Sequence, residues 1–169
     1  MLKNRTGVTT YCDMMVAMAT LLLALSAIST GLFAGYFLIF QTGIMPALGQ
    51  LTDEQFVPAM RRVNQYVPRP VFLLTFFAIV GFPAAALAVP VDGRSDNQKW
   101  LLVAGLVCAV INHLVTIGGN VPLNNALESS PAPARAARLA FEGRWNAFHR
   151  VRTLFSVAAF VLVVSATLS

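Results

Sequence analysis

The sequence predicts an all-α integral membrane protein: a four-helix transmembrane bundle with an amphipathic helix in its first long connection. Three observations predict it. Charged residues make up 11% of the 169-residue chain and hydrophobic residues 57%, whereas a soluble domain carries about 25% charged residues. The apolar residues gather in four runs, at residues 15–40, 71–90, 100–118 and 153–168, near the length of about 20 that a bilayer core requires. The twelve Lys and Arg lie outside these runs, where a long stem lets the charge reach lipid headgroups. The length fits a single transmembrane domain, residues 1–169.

The net charge of +5 would suggest nucleic acid in a soluble protein. In this distribution it points instead to the lipid bilayer, with no nucleic-acid partner. The expected location is a multi-pass position in a membrane, the bacterial inner membrane by default. Cys12 and Cys108 show no metal-ligand spacing and nothing that pairs them.

The first run is too long for the roughly 7–15-residue apolar region of a signal peptide, so it reads as an anchor. A connection at residues 41–70 comes next. Within it Thr52-Asp53-Glu54-Gln55 has the capping-box pattern of a helix start. Phe56, Met60, Val63 and Val67 then recur at helical spacing, as in an amphipathic helix lying on the surface or under the bundle. Pro68-Arg69-Pro70 introduces the second run, Pro83 is expected to kink it, and Pro90-Val91-Asp92-Gly93 ends it in a turn. Trp100 opens the third run, as an aromatic-belt residue would. The fourth run is short for a span. The stretch from Ala134 is helix-compatible, so one long final helix starting outside the membrane is expected. No internal repeat is visible. Lys3, Arg5, Arg94 and Lys99 lie in the amino-terminal segment and the short turn, and the other eight cations in the two long connections. The positive-inside rule then puts the long connections in the cytoplasm and both termini outside.

Polar residues in or beside membrane helices are costly and mark candidate sites. His113, Thr116 and Asn120 fall at i, i+3 and i+7, one face if the helix continues. Pro122 is expected to break or bend the chain, so that the amides of Asn120 and Asn124 point into one cavity. Glu142, Asn146, His149, Thr153 and Ser156 form a second polar stripe, bordered by Trp145 and Arg152. His149 could take a proton from a weakly acidic substrate, and Arg150 or Arg152 could stabilise the resulting oxyanion. Each has a structural alternative: helix glue for His113, headgroup snorkelling for the arginines, a belt position for Trp145, and helix capping for the asparagines.

Residues 116–127, reading TIGGNVPLNNAL, followed by Arg144-Trp145 and by His149-Arg150-Val151-Arg152, resemble the membrane family that includes the anthrone oxygenases, a family also described as a domain of unknown function. Ala34-Gly35, Pro46-Ala47-Leu48, Phe56-Val57, Met60 and Asn64 also fit. The resemblance implies a four-helix membrane protein that oxidises an apolar phenolic or polycyclic substrate with O2 and no added cofactor. It makes His149, Arg152, Asn120 and Asn124 the catalytic candidates, with His149 as general base. Trp145, Thr116, Asn146 and Arg150 become candidates for substrate binding. His113 falls outside the pattern. Two further readings remain. One is a four-helix haem or copper protein with His113 and His149 as ligands. The other is a non-catalytic accessory subunit or small membrane scaffold, packed through small residues such as those at 31–35; a homo-oligomer is a further partner reading.

Overall fold

The computed structural model describes residues 5–91 and 93–169. Lys3, Asp92 and the Arg5 side chain, invoked above for topology and the turn, lie outside the described residues. The chain is helical almost throughout. The order is α1 (Arg5–Ile39), a π-helical turn (Phe40–Ile44), α2 (Met45–Gly49), α3 (Asp53–Tyr66), α4 (Pro70–Ala88), α5 (Asp96–Val115), a second π-helical turn (Thr116–Asn120), α6 (Val121–Ser129) and α7 (Ala134–Thr167). Among the described residues, four continuous helical stretches are long and apolar enough to cross a membrane: Thr10–Gly49, Pro70–Ala88, Asp96–Ser129 and Ala134–Thr167. Leu74, Phe77, Leu114 and Leu154 are each about two-thirds exposed, an arrangement that lipid solvates and water does not. The protein is a multi-pass membrane helical bundle.

Three of the four spans are longer than their apolar runs, and the second, Pro70–Ala88, about matches its run. The final helix covers residues 134–167 in one piece, which resolves the shortness of the fourth run. At Pro122, where a break or bend is expected, the helix runs on through a π-turn, and the same occurs at Pro46. Pro46 and Pro122 lack an N–H, and in an α-helix their rings would meet the carbonyls of Thr42 and Gly118. The chain widens by one residue instead. The N–H of Met45 bonds Phe40 O and that of Val121 bonds Thr116 O, each five residues back, and the helix resumes with the proline in its first turn.

The middle of the bundle is filled by Phe33 and Phe37 of α1, Phe76 and Ile79 of α4, Ala109 of α5 and Ala159 of α7. α5 and α7 make the most extensive pair. Gly105 permits this, because a Cβ there would lie 3.0 Å from Val163 Cγ2 and 3.5 Å from the Ala159 carbonyl. Small residues bring membrane helices together in this way.

A second apolar cluster sits at one end of the bundle, where Phe56, Val57 and Met60 of α3 meet Met45, Leu123, Leu127, Phe141 and Trp145. The amphipathic helix is therefore packed under the bundle. Its start is a capping box, with the Thr52 N–H donating to Gln55 Oε1 at 3.2 Å. Arginines pin this end. Arg61 donates to Leu127 O and Ser130 O at the end of α6. Arg138 donates to Gly49 O, Leu51 O, Asp53 and Glu142. At the opposite end Arg94 donates to Ala86 O and Leu87 O, closing α4, and Gly93 turns the chain with φ +84°.

Candidate functional site

A cavity of about 730 Å³ lies where the two π-turns, α3, the start of α4, α6 and α7 converge. Most of its wall is apolar or aromatic, including Tyr36, Phe37, Phe40, Phe72 and Trp145. The volume falls in the range of small-molecule sites, about 300–1,000 Å³. Ile39, Tyr66 and Val71 line it and are more than half exposed, so one side is open to the surroundings.

Polar residues reach the wall from α3 (Asn64, Gln65), from Arg69 before α4, from the second π-turn, from α6 and from α7; they include one carboxylate, Glu128, which accepts from Gln65. Arg152 lines the cavity and is only 8% exposed. Its guanidinium lies 4.4 Å from the centre of the Phe37 ring and 5.1 Å from that of Trp145. Its Nε donates to His149 Nδ1 at 3.0 Å. No carboxylate pairs with it among the described residues. A buried cation without a counter-ion is costly, and the aromatic faces offset part of that cost.

His149 is fully buried and does not line the cavity. Trp145 stacks on it at 4.8 Å, and Phe37 and Phe40 present their rings edge-on. Arginine only donates, so His149 Nδ1 is the acceptor; Nε2 then carries the hydrogen and donates to Phe37 O at 3.2 Å. Both ring nitrogens are engaged. Thr153 donates from its hydroxyl to the His149 carbonyl.

Thr116 and Asn120 come from the second π-turn and Asn124 from α6; all three line the cavity. Asn120 Nδ2 donates to the Trp145 carbonyl at 3.2 Å, leaving Oδ1 buried and without a partner. Trp145 Nε1 donates to Asn124 Oδ1 at 2.8 Å. Thr116 Oγ1 is likewise buried and unpartnered. The NVPLN segment and the Trp145–Arg152 segment are thus bonded to each other around the cavity. Gly119 makes the approach possible, since a Cβ on it would stand 2.7 Å from Phe148 Cγ.

The family model of the anthrone oxygenases matches residues 56–162. The chain belongs to the anthrone oxygenase family. Curated proteins and solved structures yield no match. The segment shared with the family runs from α3 into α7 and carries Thr116, Asn120, Asn124, Trp145 and Arg152. The aromatic wall from α1 lies outside it.

The remaining candidates fall elsewhere. Arg150 is exposed on the outer face of α7 and Asn146 is half-buried; neither lines the cavity. His113 lies against Phe76, ring centres 3.8 Å apart, with Nδ1 donating to Ala109 O and Nε2 buried without a partner. It does not line the cavity with Thr116 and Asn120; its ring faces Phe76 of α4 instead. Neither histidine lines the cavity. Among the described residues no group of three or more His, Cys, Asp or Glu could hold a metal ion. Sequence reasoning does not single out Asn64 as a site residue. It lines the cavity from α3, with its Nδ2 buried and unpartnered.

Proposed function

We propose that this protein is a membrane-embedded oxygenase that converts the activated methylene of an apolar, phenolic, anthrone-like substrate to a carbonyl with O2. The observation that supports this most is Arg152: a buried guanidinium with no carboxylate partner, facing an aromatic-lined cavity. Such a group favours a substrate that becomes anionic there.

The substrate enters from the lipid side, and its flat rings lie among Phe37, Phe40, Phe72 and Trp145. Loss of a C–H proton gives a carbanion delocalised as an enolate, whose oxygen is held by Arg152. The proton goes to His149 Nδ1. For that, Arg152 turns its Nε–H off this nitrogen as its guanidinium swings toward the substrate. The carbanion passes one electron to O2, and the radical pair recombines with formation of a C–O bond. The peroxide anion takes up a proton. Loss of the second C–H proton with cleavage of the O–O bond then gives the ketone and water. The sum is one CH2 and one O2 to one C=O and one H2O, with no external reductant.

One observation favours a second role for His149. Its Nδ1 already accepts from Arg152 and its ring lies behind the wall, as for a residue that only positions the guanidinium. His149→Gln separates the two roles. The amide oxygen can still accept from Arg152, but the amide is no base. The proposal expects oxygen uptake with anthrone to be abolished in this variant while the fold is retained. Retained turnover would leave His149 a positioning residue and contradict its role as base.

A further inference from the structure

Asn112 of α5 is fully buried and lies outside the cavity. Its Nδ2 donates to the Arg152 carbonyl at 2.7 Å and to Ser156 Oγ at 2.6 Å. Asn120, at the end of the second π-turn, makes the same kind of bond, with Nδ2 donating to the Trp145 carbonyl at 3.2 Å. A carbonyl only accepts, so both amides present their nitrogen to α7. Both leave Oδ1 buried and without a partner, a cost that the bonds to α7 must outweigh. The spacing of the two bonds differs on the two sides. Trp145 and Arg152 are seven residues apart on α7, two α-helical turns. Asn112 and Asn120 are eight apart, and in an α-helix the extra residue would turn the second amide about 100° off the line of the first. The π-turn lies between them, closed by the Val121 N–H on Thr116 O, and it takes up one residue more than an α-turn. Eight residues through the π-turn therefore match seven on α7.

From this match we infer that Asn112 is a positioning residue of the candidate site: with Asn120 it clamps both ends of the α7 segment that carries Trp145, His149 and Arg152, and the π-turn sets the spacing of the clamp. The clamp holds the two walls of the cavity in register, Thr116, Asn120 and Asn124 on one side and Trp145 and Arg152 on the other. Gly119, inside the clamp, leaves room for the Phe148 ring. The bond from Trp145 Nε1 to Asn124 Oδ1 at 2.8 Å depends on the same register. The inference rests on reading this cavity as the oxygenase site, but not on the reaction itself.

The test reads the far end of the clamp. Trp145 lies about 10 Å along α7 from Arg152, so a change confined to the packing around position 112 does not reach its indole. The chain has two tryptophans, and Trp100, exposed near the start of α5, serves as the reference. Their indole N–H signals are followed by heteronuclear NMR of the full chain in detergent, together with their exchange against D2O. Asn112→Leu removes the donor at similar size. Asn112→Ser is smaller and its hydroxyl bonds its own helix, which covers the case in which leucine does not fit. Ser156→Ala removes one bond of Asn112 and leaves the one to the Arg152 carbonyl. The Trp145 indole N–H is expected to exchange about tenfold faster in the Asn112 variants, the scale of one lost hydrogen bond. Trp100 is expected to stay unmoved, and Ser156→Ala to keep the wild-type Trp145 rate. An unchanged Trp145 signal in a folded Asn112 variant, an equal effect of Ser156→Ala, or failure of both Asn112 variants to fold would overturn the inference and leave Asn112 as helix glue. None of these readouts needs turnover. A Trp145 signal that follows Asn112 in a protein that does not oxidise anthrone would overturn the oxygenase reading alone, and oxidation with an unmoved Trp145 signal would overturn this inference alone.

Discussion

Arg152 Nε–H donates to His149 Nδ1 over 3.0 Å, one turn apart on α7. This bond joins the buried cation at the cavity to an imidazole behind its wall. It also sets the tautomer, because a guanidinium cannot accept. His149 in turn donates to Phe37 O, which ties α7 to the end of α1 just before the first π-turn. The pair is therefore held by two helices and aimed by a third contact, the stack of Trp145 on His149.

Arg152→Gln is expected to lower the rate of oxygen uptake with anthrone by about 100-fold or more, the scale of losing a charge-stabilising donor. Arg152→Lys keeps the charge but loses the planar fork and the Nε donor, and is expected to fall between the two. An oxygen electrode with size-exclusion control of folding checks both. Equal rates in wild type and Arg152→Gln would remove the guanidinium from the chemistry.

Gly119→Ala places a Cβ against the Phe148 ring at 2.7 Å. The close approach of the second π-turn to α7 then has to open, at a cost of about 1–3 kcal/mol. The thermal midpoint in detergent is expected to drop, and Phe148→Ala in the same chain to restore part of it, since residues in contact do not add. Additive losses would mean that the two residues do not meet.

Arg138→Gln removes donors to Gly49 O, Leu51 O and Asp53 and to Glu142. The effect is expected on stability, about 1–3 kcal/mol from the unmet acceptors, with turnover per folded molecule retained. Loss of turnover at unchanged midpoint would make Arg138 part of the site.

Trp145→Phe keeps an aromatic ring beside His149 but removes the N–H that holds Asn124 Oδ1. The expectation is a stability loss of about 1 kcal/mol and a raised KM, because the Asn124 amide is freed to turn. An unchanged KM would show that the orientation of Asn124 does not matter to the substrate.

Much of this architecture is legible in the sequence. Apolar run lengths give the spans, and Thr52 with Gln55 gives the start of α3. The helix-compatible stretch from Ala134 gives the length of α7. The π-turns are not legible from periodicity, since helical spacing assumes one residue count per turn. Spacing also groups His113 with Thr116 and Asn120, although the His113 ring packs on Phe76 of α4 and does not line the cavity. A glycine three residues before a proline, as at Gly43 and Pro46 and again at Gly119 and Pro122, is a signal that could mark both turns. Arg150 and Arg152 read alike as cations, yet residues two apart lie on nearly opposite sides of a helix, so only one could face inward. Asn64 is hidden because it reads as the polar face of an amphipathic helix. Only the packing of α3 under the bundle turns it to the cavity. The arginines counted for orientation include Arg61, Arg94 and Arg138, which are engaged with backbone carbonyls. Their positions serve the fold as well as the headgroups.

The most direct test of the central claim is to supply purified protein with anthrone under 18O2 and track the label. The account predicts one O2 consumed per anthraquinone formed, one labelled oxygen in the new carbonyl and the other in water. Oxygen uptake no faster than in a protein-free control, or a new carbonyl whose oxygen comes from water, would contradict it.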